Sequence, residues 1–140
     1  MATYTKNYQF IEDLAHKVHD LSTDALTYYL TNNTEAPVQT DSVLLDINPI
    51  AYTNLPTSRV CGTPTTAGQT TGTYTFFLPD KVLTATGAVA TFRWCGIYND
   101  DTVTPTDALI CYWDYGSDVT LANNETFTID YTTSTFTLDA

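Results

Sequence analysis

Positive charge is scarce in this chain. Only 5 lysines and arginines stand against 16 aspartates and glutamates, a formal net charge of −11. Nucleic acid is thereby excluded as a direct partner, since phosphate contacts need a basic patch. An anionic membrane is disfavoured for the same reason. A basic surface on another protein fits, and so does acidity that only keeps the chain in solution. Long apolar runs are missing too, and no stretch approaches the roughly 20 residues of a membrane-spanning helix. The start, Met1-Ala2-Thr3-Tyr4-Thr5-Lys6, has no basic segment followed by an apolar run. It does not read as a signal peptide, so synthesis in a cytoplasm is expected.

The apparatus of catalysis is also thin. Histidine occurs only at His16 and His19. There is no Gly-x-Ser-x-Gly elbow and no glycine-rich phosphate loop, so no catalytic residue, cofactor or enzymatic activity is expected. The three cysteines, Cys61, Cys95 and Cys111, are odd in number, and their spacing matches no metal or redox motif. Cys95 and Cys111 could oppose each other across a hairpin; the alternative is three free, buried thiols.

What is present points to β structure. Threonine is the commonest residue, aromatics make up 13% and charged residues only 15%. β-Branched and aromatic side chains suit a pleated, half-buried surface. Charge below the usual quarter or so leaves a surface covered by hydroxyls and amides. A chain of 140 residues makes one domain, 1–140.

Residues 1–7 read as an arm. Phe10, Ile11, Leu14, Val18 and Leu21 then share one helical stripe, with Glu12, Asp13, His16, Lys17, His19 and Asp20 opposite. The spacing predicts an amphipathic helix over Tyr8–Leu21 with Asn7 as its N-cap. After Asp24 the period becomes two, which opens a β core over 25–138. Strands are predicted at Ala25–Thr31, Gly72–Leu78, Lys81–Ala85, Ala90–Tyr98, Ala108–Tyr115, Thr126–Tyr131 and Thr135–Leu138. Val43–Ile47 is a strand or a helical turn. Residues 51–72 form a long loop with a short strand near Arg59-Val60-Cys61. In Ala90–Tyr98, alternation puts Phe92, Trp94 and Tyr98 on one face and Arg93, Cys95 and Ile97 on the other. Gly116-Ser117-Asp118 reads as a turn. About eight short strands separated by turns indicate a sandwich, jelly roll or barrel.

Three groups invite a chemical reading. Glu12, His16 and His19 lie on one predicted helix face, as a metal site requires, yet that face points away from the core, so it reads as an ordinary polar face and no metal is expected. Asn99–Asp107 is rich in oxygen ligands but fits no EF-hand, and it reads as a solvated hairpin loop. Trp94, Tyr98, Tyr112, Trp113 and Tyr115 could line a sugar-binding surface; cross-strand core packing is the competing account. Tyr28 and Tyr29 are adjacent in a strand, so one should face out, where it could anchor a protein interface.

The run Leu109-Ile110-Cys111-Tyr112-Trp113-Asp114-Tyr115-Gly116-Ser117, then Val119-Thr120-Leu121, then Asn124 to Tyr131, resembles the closing strands of a family of small virion proteins from tailed bacteriophages. Phe10 to Leu21, followed by Ala25-Leu26 and Thr31-Asn32, is similar to the same family's N-terminal part. The family is that of head decoration, or cement, proteins of short-tailed phages. Where its members often carry glycine in the last hairpin turn, Asn123-Asn124 stand here, and asparagine tolerates positive φ. The resemblance implies a jelly-roll-like β fold, no enzymatic activity, and a place on the capsid exterior against the major capsid protein, as a homo-dimer or homo-trimer at symmetry axes. The interface residues expected are Ala2, Thr3, Tyr4 and Tyr8 of the arm, Tyr28 or Tyr29, and Arg59 within the loop Thr57–Thr71. A tail or adhesion module that binds carbohydrate is the alternative.

Overall fold

The computed structural model describes residues 2–32, 34, 36–131 and 136–139. Among the described residues the chain is mainly β with one α-helix. The strands are β1 Thr3–Lys6, β2 Leu26–Thr31, β3 Thr66–Thr70, β4 Thr73–Phe77, β5 Lys81–Thr84, β6 Phe92–Val103, β7 Thr106–Val119, β8 Thr126–Ile129 and β9 Phe136–Asp139, and the helix α1 is Tyr8–Ala15. They pair antiparallel in three sheets, ordered β1-β7-β6-β2, β3-β4-β9 and β5-β8.

The arm is not free. Thr3–Lys6 pairs along β7, with Tyr4 opposite Trp113 and their rings 5.5 Å apart. Thr3 is exposed, whereas Tyr4, Thr5 and Lys6 are half-buried. The helix is shorter than its apolar spacing predicts. It stops at Ala15, and Lys17 adopts a left-handed φ of 62°. Of the expected stripe, Phe10 is buried and Leu14 half-buried, while Ile11 is 52% exposed. Phe10 meets Phe136 edge-on at 5.4 Å, and Phe136 stacks on Phe76 at 4.7 Å. Burying a ring of that size stabilises by about 2–3 kcal/mol. Asn7 does precede the helix, but its amide bonds Val38 O and Asp41 O instead of capping it.

The central hairpin β6–β7 runs further than its hydrophobic core suggests. Asn99–Asp107 is largely strand, not loop. Its polarity is satisfied locally: the Thr102 hydroxyl donates to Asn99 O at 3.0 Å and accepts from Ala108 N–H at 2.9 Å. Gly116–Asp118 lies within β7, on an irregularity where Phe92 pairs with Val119 but Trp94 with Asp114. That shift turns Phe92 to the side of Cys95 and Ile97, away from Trp94 and Tyr98, which corrects the expected shared face. A second shift, between Ile97↔Cys111 and Tyr98↔Leu109, lets successive residues Ile110 and Cys111 both enter the main core.

Part of the long loop is strand as well. Thr66–Thr70 pairs with β4 through Thr71 and Gly72, both at positive φ, as a tight hairpin turn needs. The rest seals the open edge of β2. Ile50 N–H donates to Leu30 O, Tyr28 N–H to Arg59 O, and Cys61 N–H to Leu26 O. The short strand expected near Arg59 is a single bridge, Thr27↔Val60. Val43–Ile47 resolves as a 3-10 turn, Leu44–Asp46, whose Asp46 carboxylate accepts from Ser42 and Val43 N–H.

The centre of the four-stranded sheet, β2 with the middle of β6 and β7, is therefore buried on both faces. One face joins residues of the two smaller sheets in the main core. The other carries a small cluster of Tyr29, Ile47, Tyr98, Leu109 and Tyr112, flanked by Leu44 and Trp94. All six residues of β2 are buried in consequence.

Candidate interaction surfaces

The expected interface residues separate into three environments. Tyr28 and Tyr29 are both 0% exposed, which corrects the expectation that one faces out. Each faces one of the two cores, because the 3-10 turn and Ile47 cover the side that would otherwise be solvent. Desolvation raises the Tyr28 phenol to about 12 and pushes Tyr29 up as well. Arg59 is structural too. Its guanidinium donates to Tyr28 O at 3.1 Å and lies 4.4 Å from the Tyr52 ring centre, fastening the loop to β2. Tyr4 is half-buried, with its phenol raised by desolvation and by the nearby Cys111. Ala2 and Thr3 remain exposed.

Tyr8 alone of the expected set is a large exposed apolar residue, at 63%. Its amide donates to Gln39 O at 2.9 Å, which brings Val38, itself 51% exposed, beside the helix start. Ile11 lies three residues on, on the same side of α1. Tyr8, Ile11 and Val38 are thus three exposed apolar side chains on two segments that meet at the start of α1. Sequence reasoning put Ile11 in the buried stripe; the helix instead packs on a face centred on Phe10 and Asp13, and Ile11 lies off it.

A second surface is a cleft of about 170 Å³ between the β6–β7 hairpin and β8. Phe92, Trp113, Tyr115, Phe127 and Tyr131 form most of its wall, with Arg93, Asp130 and Ala2 also lining it. The Arg93 guanidinium grips Asp114 through two bonds, 2.6 and 2.8 Å, beside it. That contact holds the Asp114 carboxyl below its usual range. The five aromatics considered for sugar binding are divided by the sheet. Trp94, Tyr98 and Tyr112 belong to the small core, whereas Trp113 and Tyr115 line the cleft.

The metal candidate is not assembled. His16 pairs with Glu12 at 3.8 Å on the exposed side, while His19 turns inward and is 6% exposed. Among the described residues no group of histidine, cysteine and carboxylate side chains could hold a metal ion. The three cysteines are free and buried. Burial raises all their thiols, Cys61 to about 11, so they are poor nucleophiles. No helix is long and apolar enough to cross a membrane among the described residues.

Comparison with protein-family models, curated proteins and solved structures finds no match to this chain.

Proposed function

We propose that the chain is a virion structural protein, a decoration protein that binds the outside of a phage head and stabilises contacts between major capsid subunits. The observation that carries this reading is the exposure of three apolar side chains, Tyr8, Ile11 and Val38, on the two segments that meet at the start of α1. Grouped exposed apolar side chains mark contact with other protein. The sequence resemblance supplies the shell as that protein. In this reading the sheets form a jelly-roll-like body, the protein is made in the host cytoplasm, and it performs no catalysis. It assembles as a homo-dimer or homo-trimer at symmetry axes of the shell. Weak single contacts suffice, because many copies act on one lattice.

The test is rebinding of purified protein to capsids stripped of it. Wild-type protein is expected to co-sediment, and the double variant Tyr8→Asp, Ile11→Asp to stay in the supernatant with its fold intact. Full occupancy by that variant would remove those side chains from the reading. Failure of the wild type would remove the shell. Deleting Ala2–Lys6 is a poor probe, because it takes away β1 and with it part of the sheet.

The aromatic cleft favours a second reading, a tail or adhesion module that binds carbohydrate. Ring faces at Trp113 and Tyr115 beside a donor–acceptor pair suit a sugar ring. A glycan array scored with wild type and Tyr115→Ala distinguishes the two: a retained glycan lost in the variant favours this reading over the shell.

A further inference from the structure

His19 lies inside a polar knot that joins the segment after α1 to the end of β6. Asn99 is 0% exposed at its centre. Its amide nitrogen donates to His19 Nδ1 at 3.1 Å and to Asp24 Oδ2 at 2.5 Å, while its oxygen accepts the Asp101 N–H at 3.0 Å. Asp24 Oδ2 also accepts the Asp20 N–H at 2.7 Å, and Asp101 Oδ2 accepts the Ala25 N–H at 2.6 Å. One fully used side chain thus ties residues 19–25 to β6.

This network fixes the histidine's tautomer. The Asn99 oxygen is held by Asp101, so Nδ1 faces an N–H donor and must carry a lone pair. The ring proton therefore sits on Nε2. Nε2 is buried without a hydrogen-bond partner, as is Asp13 Oδ2 on α1. A donor and an acceptor left over in one cluster suit a bridging water, and a protonated Nε2 cannot ligate a metal.

We propose that His19 is an acid-sensitive latch, which in its neutral form holds the 19–25 segment on β6 and on protonation releases it. A second ring proton would put Nδ1–H against the Asn99 N–H. Flipping the amide does not help, since it would set N–H against Asp101 N–H and oxygen against the Asp24 carboxylate. No orientation satisfies all three neighbours of a charged His19. Other charges near the ring are few. Asp13 of α1 and Asp24 before β2 favour the charged form, Lys17, Asp20 and the Tyr74 phenol of β4 line the shallow groove beside it, and Asp100 and Asp101 follow Asn99. Burial outweighs the carboxylates and lowers the histidine's pKa. The sign follows: stability contributed by the neutral ring is whole above the ordinary histidine value of ~6.5 and drains as pH falls below it, until the folded protein is itself protonated.

The test is amide hydrogen exchange at Asp20, Ser22, Asp24 and Ala25 across acidic pH, with the ring nitrogens followed by NMR. Wild-type protection, corrected for intrinsic rates, is expected to fall by up to about tenfold per pH unit below ~6.5 before the carboxylates titrate, with core amides unchanged. His19→Asn keeps an acceptor near Nδ1 but cannot titrate, so its profile should stay flat in that range; His16→Asn should match wild type. Equal profiles for wild type and His19→Asn overturn the latch. So does a ring spectrum showing the proton on Nδ1. Should His19→Asn not fold, the wild type alone decides: the loss of protection begins near ~6.5 and levels off where the folded ring itself titrates, or the proposal fails.

Discussion

The two faces of the four-stranded sheet are buried by different means. On the main-core side, Tyr28, Leu30, Ile97 and Cys111 meet side chains from the two smaller sheets, so each is held from several directions. Among the described residues no second sheet covers the other side. The 42–47 segment lies across it, pinned by Leu109 N–H to Ser42 O and by the bridge Val43↔Ala108, and it brings Ile47 and Leu44 onto Tyr29, Tyr98 and Leu109. The difference teaches where tolerance should lie. A deep core resists the loss of atoms, whereas a thin cover resists only what pushes it away.

The largest expected effect comes from pushing. Gly96 sits under the Tyr29 ring, and a Cβ there would lie 2.1 Å from Tyr29 Cζ. Gly96→Ala should destabilise by about 3 kcal/mol, measured by urea denaturation, because the methyl group must push the Tyr29 ring, and with it the 42–47 cover, out of place. Adding Tyr29→Ala should recover part of that loss as a coupling between the two positions. Strict additivity would mean that the ring is not what excludes the methyl group.

Removing atoms should rank the faces the other way. Leu30→Ala in the main core is expected to cost about 3 kcal/mol, and Ile47→Ala nearer ~2, since the covering segment can settle into the space. Equal losses would show that the thin cover is packed as tightly as the deep core. Next in size are the tyrosine hydroxyls. Tyr28 and Tyr29 each bury an OH without a hydrogen-bond partner. Tyr29→Phe should therefore be neutral or stabilising by up to ~1 kcal/mol, against the usual direction of core substitutions. A clear loss on denaturation would reveal a bonded water.

The same contrast explains what could be read from the sequence. Most strand centres were visible, because Thr73–Phe77 and the apolar parts of β6 and β7 alternate or run apolar between turns. Strand ends were not, because Asn99 and Thr102 look like loop residues until their hydrogen bonds are known. The facing of Phe92 failed for a related reason: a register shift changes which side a residue takes without changing its hydrophobicity. Tyr28 and Tyr29 failed because alternation says only that the two faces differ, not that one is wet. His19 reads as a polar-face residue, and its burial depends on Asn99, 80 residues away. The exposure of Tyr8 was legible, but that of Ile11 was not, because the buried face of α1 is centred on Phe10 and Asp13 rather than on the apolar stripe.

The smallest expected effect lies at the rim of the aromatic cleft, where Arg93 and Asp114 pair in partial contact with solvent. Asp114→Asn should scarcely move the denaturation midpoint at neutral pH in salt, since pairs open to water are well screened. The small deficit that remains should vanish on the acid limb, where wild type loses the pair as well. Bonding to Arg93 lowers the Asp114 pKa, so the stability it adds is present above the ordinary aspartate value and is lost as pH falls through the lower, folded one. The His19 latch drains at higher pH, beginning near the ordinary histidine value. A pH titration of stability should thus show two separable acid steps, with Asp114→Asn diminishing only the lower and His19→Asn only the upper. A single merged step that both variants shift together would mean that the cleft and the latch are parts of one cooperative unit.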